Sequence, residues 1–253
     1  MMRKVKGFLL IGIIIISILF SSLMAITAAE LTAEEIINKR DDNEYFDSIR
    51  IEAEMIIVSG GRKITKTMVA LSDKKNSLVE FTNPQDRETK FLKREDDLWM
   101  FFPDAEEIIK ISGHMLNQGM MGSDFSYQDI MESDKLTDLY NFEIIGEEEI
   151  EGRLCYVLEG IAKEGVKVSY YRRVGWIDRE RFIGLKEELY TQSGKLLKET
   201  KVNEVQEIEG RWIPIDSVME NKLRKDTYTG FKIVQIDFYP EIPEGTFSLQ
   251  SLR

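Results

Sequence analysis

A single histidine, His114, and a single cysteine, Cys155, bound the chemistry open to this 253-residue chain. Acyl transfer by a Ser-His-Asp or Cys-His arrangement would have to pass through His114, which sits in a glycine-flanked stretch beside Met115. Cys155 lies in the strand-like run Leu154-Cys155-Tyr156-Val157-Leu158, where a thiol reads as buried and inert. One thiol forms no internal disulfide, so the fold must hold by its core. Asp124 and Asp129 offer a carboxylate pair, but they read better as a helix cap and a solvated face. His114 with Met115, Met120 and Met121 has soft-ligand character, yet no second histidine or nearby cysteine completes a copper site. Phosphate-binding glycine loops and the HExxH metal motif do not occur. These residues point away from an enzyme, and neither cofactor nor metal is expected.

Apolar surface is the stronger signal. In Asp97-Leu98-Trp99-Met100-Phe101-Phe102-Pro103, Leu98, Met100 and Phe102 share one face of a strand, and Trp99 and Phe101 the other. One face belongs to an ordinary core. The second is either covered by a helix or loop of the same chain, or lines an interior cavity of the kind large antiparallel barrels enclose. The chain then turns at Pro103-Asp104, returns through Ile108-Ile109-Lys110-Ile111 and loosens into Ser112–Ile130, SGHMLNQGMMGSDFSYQDI. That segment tightens at Gly122-Ser123-Asp124 into a short helix carrying Phe125, Tyr127 and Ile130. Its flexible methionines suit a promiscuous apolar site.

The elements around this stretch follow from periodicity. Thr32 and Glu35 have capping-box spacing for a helix with Ile36 and Ile37 inward, ending at Asp41-Asp42-Asn43. From Tyr45 the period becomes two: Ile49, Ile51, Ala53, Met55 and Ile57 alternate with polar residues, and Gly60-Gly61 turns the chain into Lys63–Leu71. Leu78–Phe81 and Thr89–Lys93 are further strands, and Lys135–Tyr140 is a turn of helix. The strand pattern resumes at Asn141–Ile150, Arg153–Ile161, Lys167–Ile177, Phe182–Thr191, Leu196–Ile208, Trp212–Lys222 and Thr227–Tyr239. About eleven strands at even spacing, with few helices, predict an α+β domain built on one large antiparallel sheet or barrel.

Arg3, Lys4 and Lys6 precede the apolar run Phe8–Phe20 and the small residues Thr27-Ala28-Ala29, the layout of an export signal over residues 1–29 cleaved after Ala29. The stretch Gly7–Ala29 is also long enough to remain as an uncleaved anchor. Residues 30–253 then form a single domain. Loss of three basic residues and no acidic one takes the formal charge from −11 to −14, which repels nucleic acid and anionic headgroups.

Leu98-Trp99-Met100-Phe101-Phe102-Pro103, followed by Gly122-Ser123-Asp124-Phe125-Ser126-Tyr127-Gln128-Asp129, resembles the signature of LolA-like outer-membrane lipoprotein-sorting proteins. Trp176-Ile177-Asp178, Ser193-Gly194-Lys195-Leu196, Gly210-Arg211-Trp212-Ile213-Pro214 and Ile242-Pro243-Glu244-Gly245-Thr246-Phe247-Ser248 follow the same cadence. The resemblance implies a highly curved, incomplete antiparallel barrel with helices covering its concave face as a lid. It implies a periplasmic carrier, a monomer that touches membranes transiently. Acyl chains of lipoproteins or other lipids would lie between sheet and helices, received from an inner-membrane transporter and passed to an outer-membrane acceptor. The expected cavity wall is Trp99, Met100, Phe101, Phe102, Phe125 and Tyr127, and the expected gate is Met115, Met120, Met121 and Gly122. A protein-interaction or sensory module of the envelope, using the same fold without cargo, is the alternative.

Overall fold

The computed structural model describes residues 30–132 and 135–253. The expected export signal lies outside the described residues. Period-two alternation builds thirteen strands: β1 (Ser48–Ser59), β2 (Arg62–Asp73), β3 (Asn76–Phe81), β4 (Lys90–Arg94), β5 (Asp97–Phe102), β6 (Glu107–Ile111), β7 (Tyr140–Ile150), β8 (Arg153–Ala162), β9 (Arg172–Asp178), β10 (Gly184–Tyr190), β11 (Leu196–Ile208), β12 (Arg211–Asn221) and β13 (Thr227–Phe238). The sequence pattern suggests about eleven, yet each of the thirteen, the short β3 to β6 included, overlaps a segment that it marks as extended.

All thirteen belong to one antiparallel sheet, in the order β6-β5-β4-β3-β2-β1-β13-β12-β11-β10-β9-β8-β7. The chain therefore makes two meanders that meet where β1 pairs with β13, from Ile49 opposite Phe238 to Ser59 opposite Thr227. β6 and β7 end the sheet without pairing with each other, which leaves a curved, incomplete barrel. The expected strand Lys167–Ile177 begins only at Arg172. Tyr170 instead turns away to donate its hydroxyl to Asp129 Oδ1 at 2.6 Å.

The link from one free edge to the other runs Ser112–Leu139, through turns of 3-10 helix at Gly113–Asn117 and Met120–Gly122, then α2 (Tyr127–Met131) and α3 (Leu136–Leu139); the N-terminal helix is α1 (Ala33–Glu44). The register puts Ala53, Met55, Ile57, Met68, Phe81, Phe91, Leu98, Met100 and Ile111 on one face. The crossover's Met120 and Tyr127 pack onto them as a buried cluster. Each large apolar side chain buried there contributes about 1.5–3 kcal/mol. The opposite face of β4 and β5 has its own cover: Leu92 and Phe101 pack with Leu252 of the C-terminal turn, flanked by Trp99 and Phe247, and Lys90 Nζ donates to Ser251 O at 3.0 Å. Both faces of β5 are thus closed by the chain itself.

In α1 the capping box forms as expected. Thr32 Oγ1 accepts from the Glu35 N–H at 3.2 Å, and Glu35 Oε2 accepts from the Thr32 N–H at 2.8 Å. Ile36 and Ile37 are buried. The helix runs through Asp41-Asp42-Asn43 rather than ending there, because Asp41 is buried beside Arg40 at 3.1 Å and does not act as a turn residue. Its C-terminal end is fixed by Asn43 Nδ2, which donates to Arg181 O at 2.8 Å, and by Arg211, which donates to Asp42 O at 2.7 Å.

Gly119 fixes the fold of the crossover. Met120 N–H donates to Phe125 O at 2.7 Å, and a Cβ at Gly119 would stand 2.1 Å from Ser123 O. Gly119→Ala is expected to cost about 1–3 kcal/mol in urea unfolding and to speed hydrogen exchange across residues 112–131. A loss under about 0.5 kcal/mol, the scale of an ordinary surface change, would show that this backbone yields freely.

Candidate functional site: an interior cleft

The residues singled out in sequence divide into two groups. Met100, Phe125, Tyr127, Met115, Met120 and Met121 come together under the crossover. There the Tyr127 hydroxyl meets Met100 Sδ at 3.8 Å, its ring lies 5.7 Å from Phe91, and Phe125 sits edge-on to Phe231 at 6.1 Å. Trp99 and Phe101 occupy the opposite face, beneath Phe247 and Leu252. Phe102 is half-exposed at the strand end, and Gly122 is exposed with φ +85°. The six wall residues therefore share no single surface.

Two carboxylates hold the crossover down, in roles other than those expected. Asp124 is not a helix cap. Its N–H donates to Thr229 Oγ1 at 2.9 Å, and the Thr229 hydroxyl donates back to Asp124 Oδ2 at 2.9 Å, which ties the crossover to β13. Ser126 caps α2 instead, accepting from the Asp129 N–H at 3.2 Å while Asp129 Oδ2 accepts from the Ser126 N–H at 2.6 Å. Asp129 is therefore not on a solvated face; it also accepts from Tyr170 and pairs with Lys198. Short polar side chains beside a helix start fit both readings, and only the approach of β13 and β11 separates them.

Open space lies further along the same face. A cleft of ≈ 360 Å³ opens between α1, α3 and strands of both meanders, with walls that include Ile37, Ile51, Leu136, Phe142, Leu158 and Ile213. None of the residues expected as wall or gate lines it. Its lining comes in ones and twos from many elements, so no single stretch of sequence announces it. A faint signal does exist. Gly160, Gly175 and Gly184 interrupt three adjacent strands, and glycine within a strand marks a close approach or a missing side chain. Gly175 and Gly184 line the cleft. At Gly160 a Cβ would stand 2.5 Å from the Phe142 ring, so the glycine is what seats that ring in the wall.

One end of the cleft is polar. Arg40, Glu44, Arg173 and Glu187 line it and also line an adjoining recess of ≈ 290 Å³ with Asp41, Asp129, Glu132 and Lys135. Arg173 is buried, with Nε 3.2 Å from Glu187 Oε1 and Nη2 3.9 Å from Glu132 Oε2, and its guanidinium lies 4.7 Å from the Tyr140 ring centre. Burial holds the carboxyls of Asp41, Glu44 and Glu132 above the usual range, against the pull of Arg40 on the first two and Arg173 on the third. Burial also pushes Tyr140 up to about 12.

A family model described as "Uncharacterized protein" matches residues 73–253. Three solved structures share the architecture over nearly their whole length. A DUF1329 family protein from Desulfovibrio piger is 24% identical, with a TM-score of 0.81 over 87% of this chain and 98% of that one. A putative outer membrane lipoprotein-sorting protein domain from Vibrio parahaemolyticus is 24% identical, with a TM-score of 0.76 over 87% and 97%. A LolA superfamily protein from Nitrosomonas europaea is 25% identical, with a TM-score of 0.72 over 88% and 100%. The chain belongs to the family of that model, and its fold is LolA-like. No curated protein matches it in sequence.

His114 is exposed on the crossover, whereas Cys155 is fully buried in β8, where burial pushes its thiol up to about 11. A protonated thiol out of contact with solvent is no nucleophile. Among the described residues, no group of three or more His, Cys, Asp or Glu side chains is placed to hold a metal ion.

The raised carboxyls give the polar end a pH dependence. Because burial favours protonated Glu132, the native protein binds that proton more tightly than the unfolded chain does. The resulting stability is complete below the unfolded pKa, about 4.3, and is lost as pH rises through the raised native value. The unfolding free energy of wild type relative to Glu132→Gln is therefore expected to fall from about pH 4 towards neutrality. A difference that rises over that window would mean that attraction to Arg173 outweighs burial.

Proposed function

We propose that this protein is an exported carrier that holds a lipid acyl chain inside its half-barrel and hands it directly to a membrane partner. The observation that carries the reading is the apolar cleft between α1, α3 and the sheet. At ≈ 360 Å³ it falls at the small end of ligand sites, which run about 300–1,000 Å³, a size suited to one chain rather than several. Burying about fifteen methylenes at ~0.8 kcal/mol each gains roughly 12 kcal/mol. Escape into water would then be slowed by about nine orders of magnitude. Such a cargo must pass to a partner whose own apolar site offsets the loss; the LolA-like resemblance makes the donor an inner-membrane transporter and the acceptor an outer-membrane protein. The crossover is the gate. It covers the inner face with flexible methionines and is tied to β13 by the Asp124–Thr229 bonds. No helix among the described residues is long and apolar enough to cross a membrane.

One observation favours a cargo-free interaction module instead: under the crossover the inner face is filled by the chain's own side chains. Native mass spectrometry of gently purified protein separates the readings. Lipid adducts are expected, together with uptake of a fluorescent acyl probe. A Cβ at Gly175 would meet only Ile177 Cδ1, at 3.7 Å. Gly175→Leu therefore fills the cleft without a backbone clash and is expected to weaken probe uptake about tenfold or more, with thermal stability kept. Unliganded protein that also ignores the probe would leave the interaction module standing.

A further inference from the structure

Arg173 is the group in the cleft that the carrier reading leaves unexplained. Only 5% of the residue is exposed, on the inner face of β9. Its 3.2 Å approach to Glu187 is an ion pair without hydrogen-bond geometry. Nε and Nη1 donate to no acceptor among the described residues. Buried donors in folded proteins are nearly always satisfied. A guanidinium carries five N–H groups in a fixed fork and has no means of shedding its charge. Two idle donors at the mouth of an apolar cleft therefore call for an acceptor that arrives with the ligand.

The surrounding charge decides what kind of acceptor. Four carboxyl groups, Asp41, Glu44, Glu132 and Glu187, face the two guanidinium groups of Arg40 and Arg173 around the shared end of cleft and recess. The other cations there are already engaged: Lys198 pairs with Asp129, and Lys135 lies over the Tyr45 ring at 5.6 Å. Among the described residues, Glu132 Oε1 and Asp41 Oδ2 have no donor of their own. A further anion would meet like charge in a region shielded from water, where repulsion is strong. A bare hydrocarbon chain would leave the Arg173 donors idle. A neutral oxygen satisfies them without adding charge.

Resting on the carrier reading, we infer that the cleft takes an acyl chain with an uncharged ester or amide head, whose carbonyl oxygen accepts from Arg173 while the chain lies along Ile37, Phe142 and Leu158. The selectivity this implies is for esterified or amidated acyl groups over free fatty acids. It arises from the placement of one buried donor pair among acids.

Competition against a pyrene-labelled acylglycerol tests this with three unlabelled probes: 1-monopalmitoylglycerol, palmitate and hexadecane. The ester is expected to bind the wild-type protein about tenfold more tightly than either of the others, the scale of one hydrogen bond to a buried charged group. Arg173→Met should reduce the ester's affinity about tenfold while leaving hexadecane unchanged. Arg173→Lys, which keeps a charged donor, should restore part of the difference. The wild-type ranking needs no variant, so it stands even if Arg173→Met folds poorly. Palmitate binding as well as the ester, or equal loss of ester and hexadecane in Arg173→Met, overturns the inference and leaves the carrier reading intact. If none of the three competes, both fail together.

Discussion

Everything in this molecule follows from the need of one long antiparallel sheet to cover its own inner face. The two meanders meet at β1 and β13, and the free edges β6 and β7 stand at opposite ends. There is no second sheet to pack against. The link between the edges must run across the sheet, and in doing so it supplies the apolar partners that the inward side chains of β1 to β6 require. Glycine at position 119, a second glycine turn at Gly122 and the buried Asp124–Thr229 bonds set the path of that link. The helices are short because their work is done by tertiary packing and caps rather than by intrinsic propensity.

The link does not fill the whole interior. Beneath α1 and α3 the sheet is left with apolar walls around open space, closed at one end by charged groups. These two halves differ in kind. The first is a dry core in which methionines meet aromatic rings. The second combines apolar surface with a buried network in which burial raises three carboxyls and leaves an arginine short of acceptors among the described residues. Charges taken out of water are poor sources of stability. On the inference drawn above, their place beside the cleft lets them read what enters it.

On the carrier reading proposed above, holding the cargo and releasing it both fall on the crossover. Its contacts to the sheet are dispersed over methionine and aromatic side chains, each weak and readily remade. Its polar anchors are few and specific.

The alternation along β1, the Gly60-Gly61 turn, the capping box of α1 and the even spacing of later strands were all legible in the sequence, because each depends on residues close in the chain. So was the burial of Cys155. The site was not legible in the same way. Leu98-Trp99-Met100-Phe101-Phe102 announced two apolar faces, but which partner covers each depends on a C-terminal turn and a crossover far away in sequence. Asp124 and Asp129 carried the right residue types for a cap and an exposed face, and the approach of Thr229, Tyr170 and Lys198 gave them other work. The cleft draws its lining from α1, α3 and strands of both meanders, and Arg173 reads locally as one more strand arginine. Sequence by itself determined the strands and their inward positions, since periodicity is a local property. Only the tertiary structure decided where the interior stays open and what charge guards it, since curvature and register bring together residues that no local pattern connects.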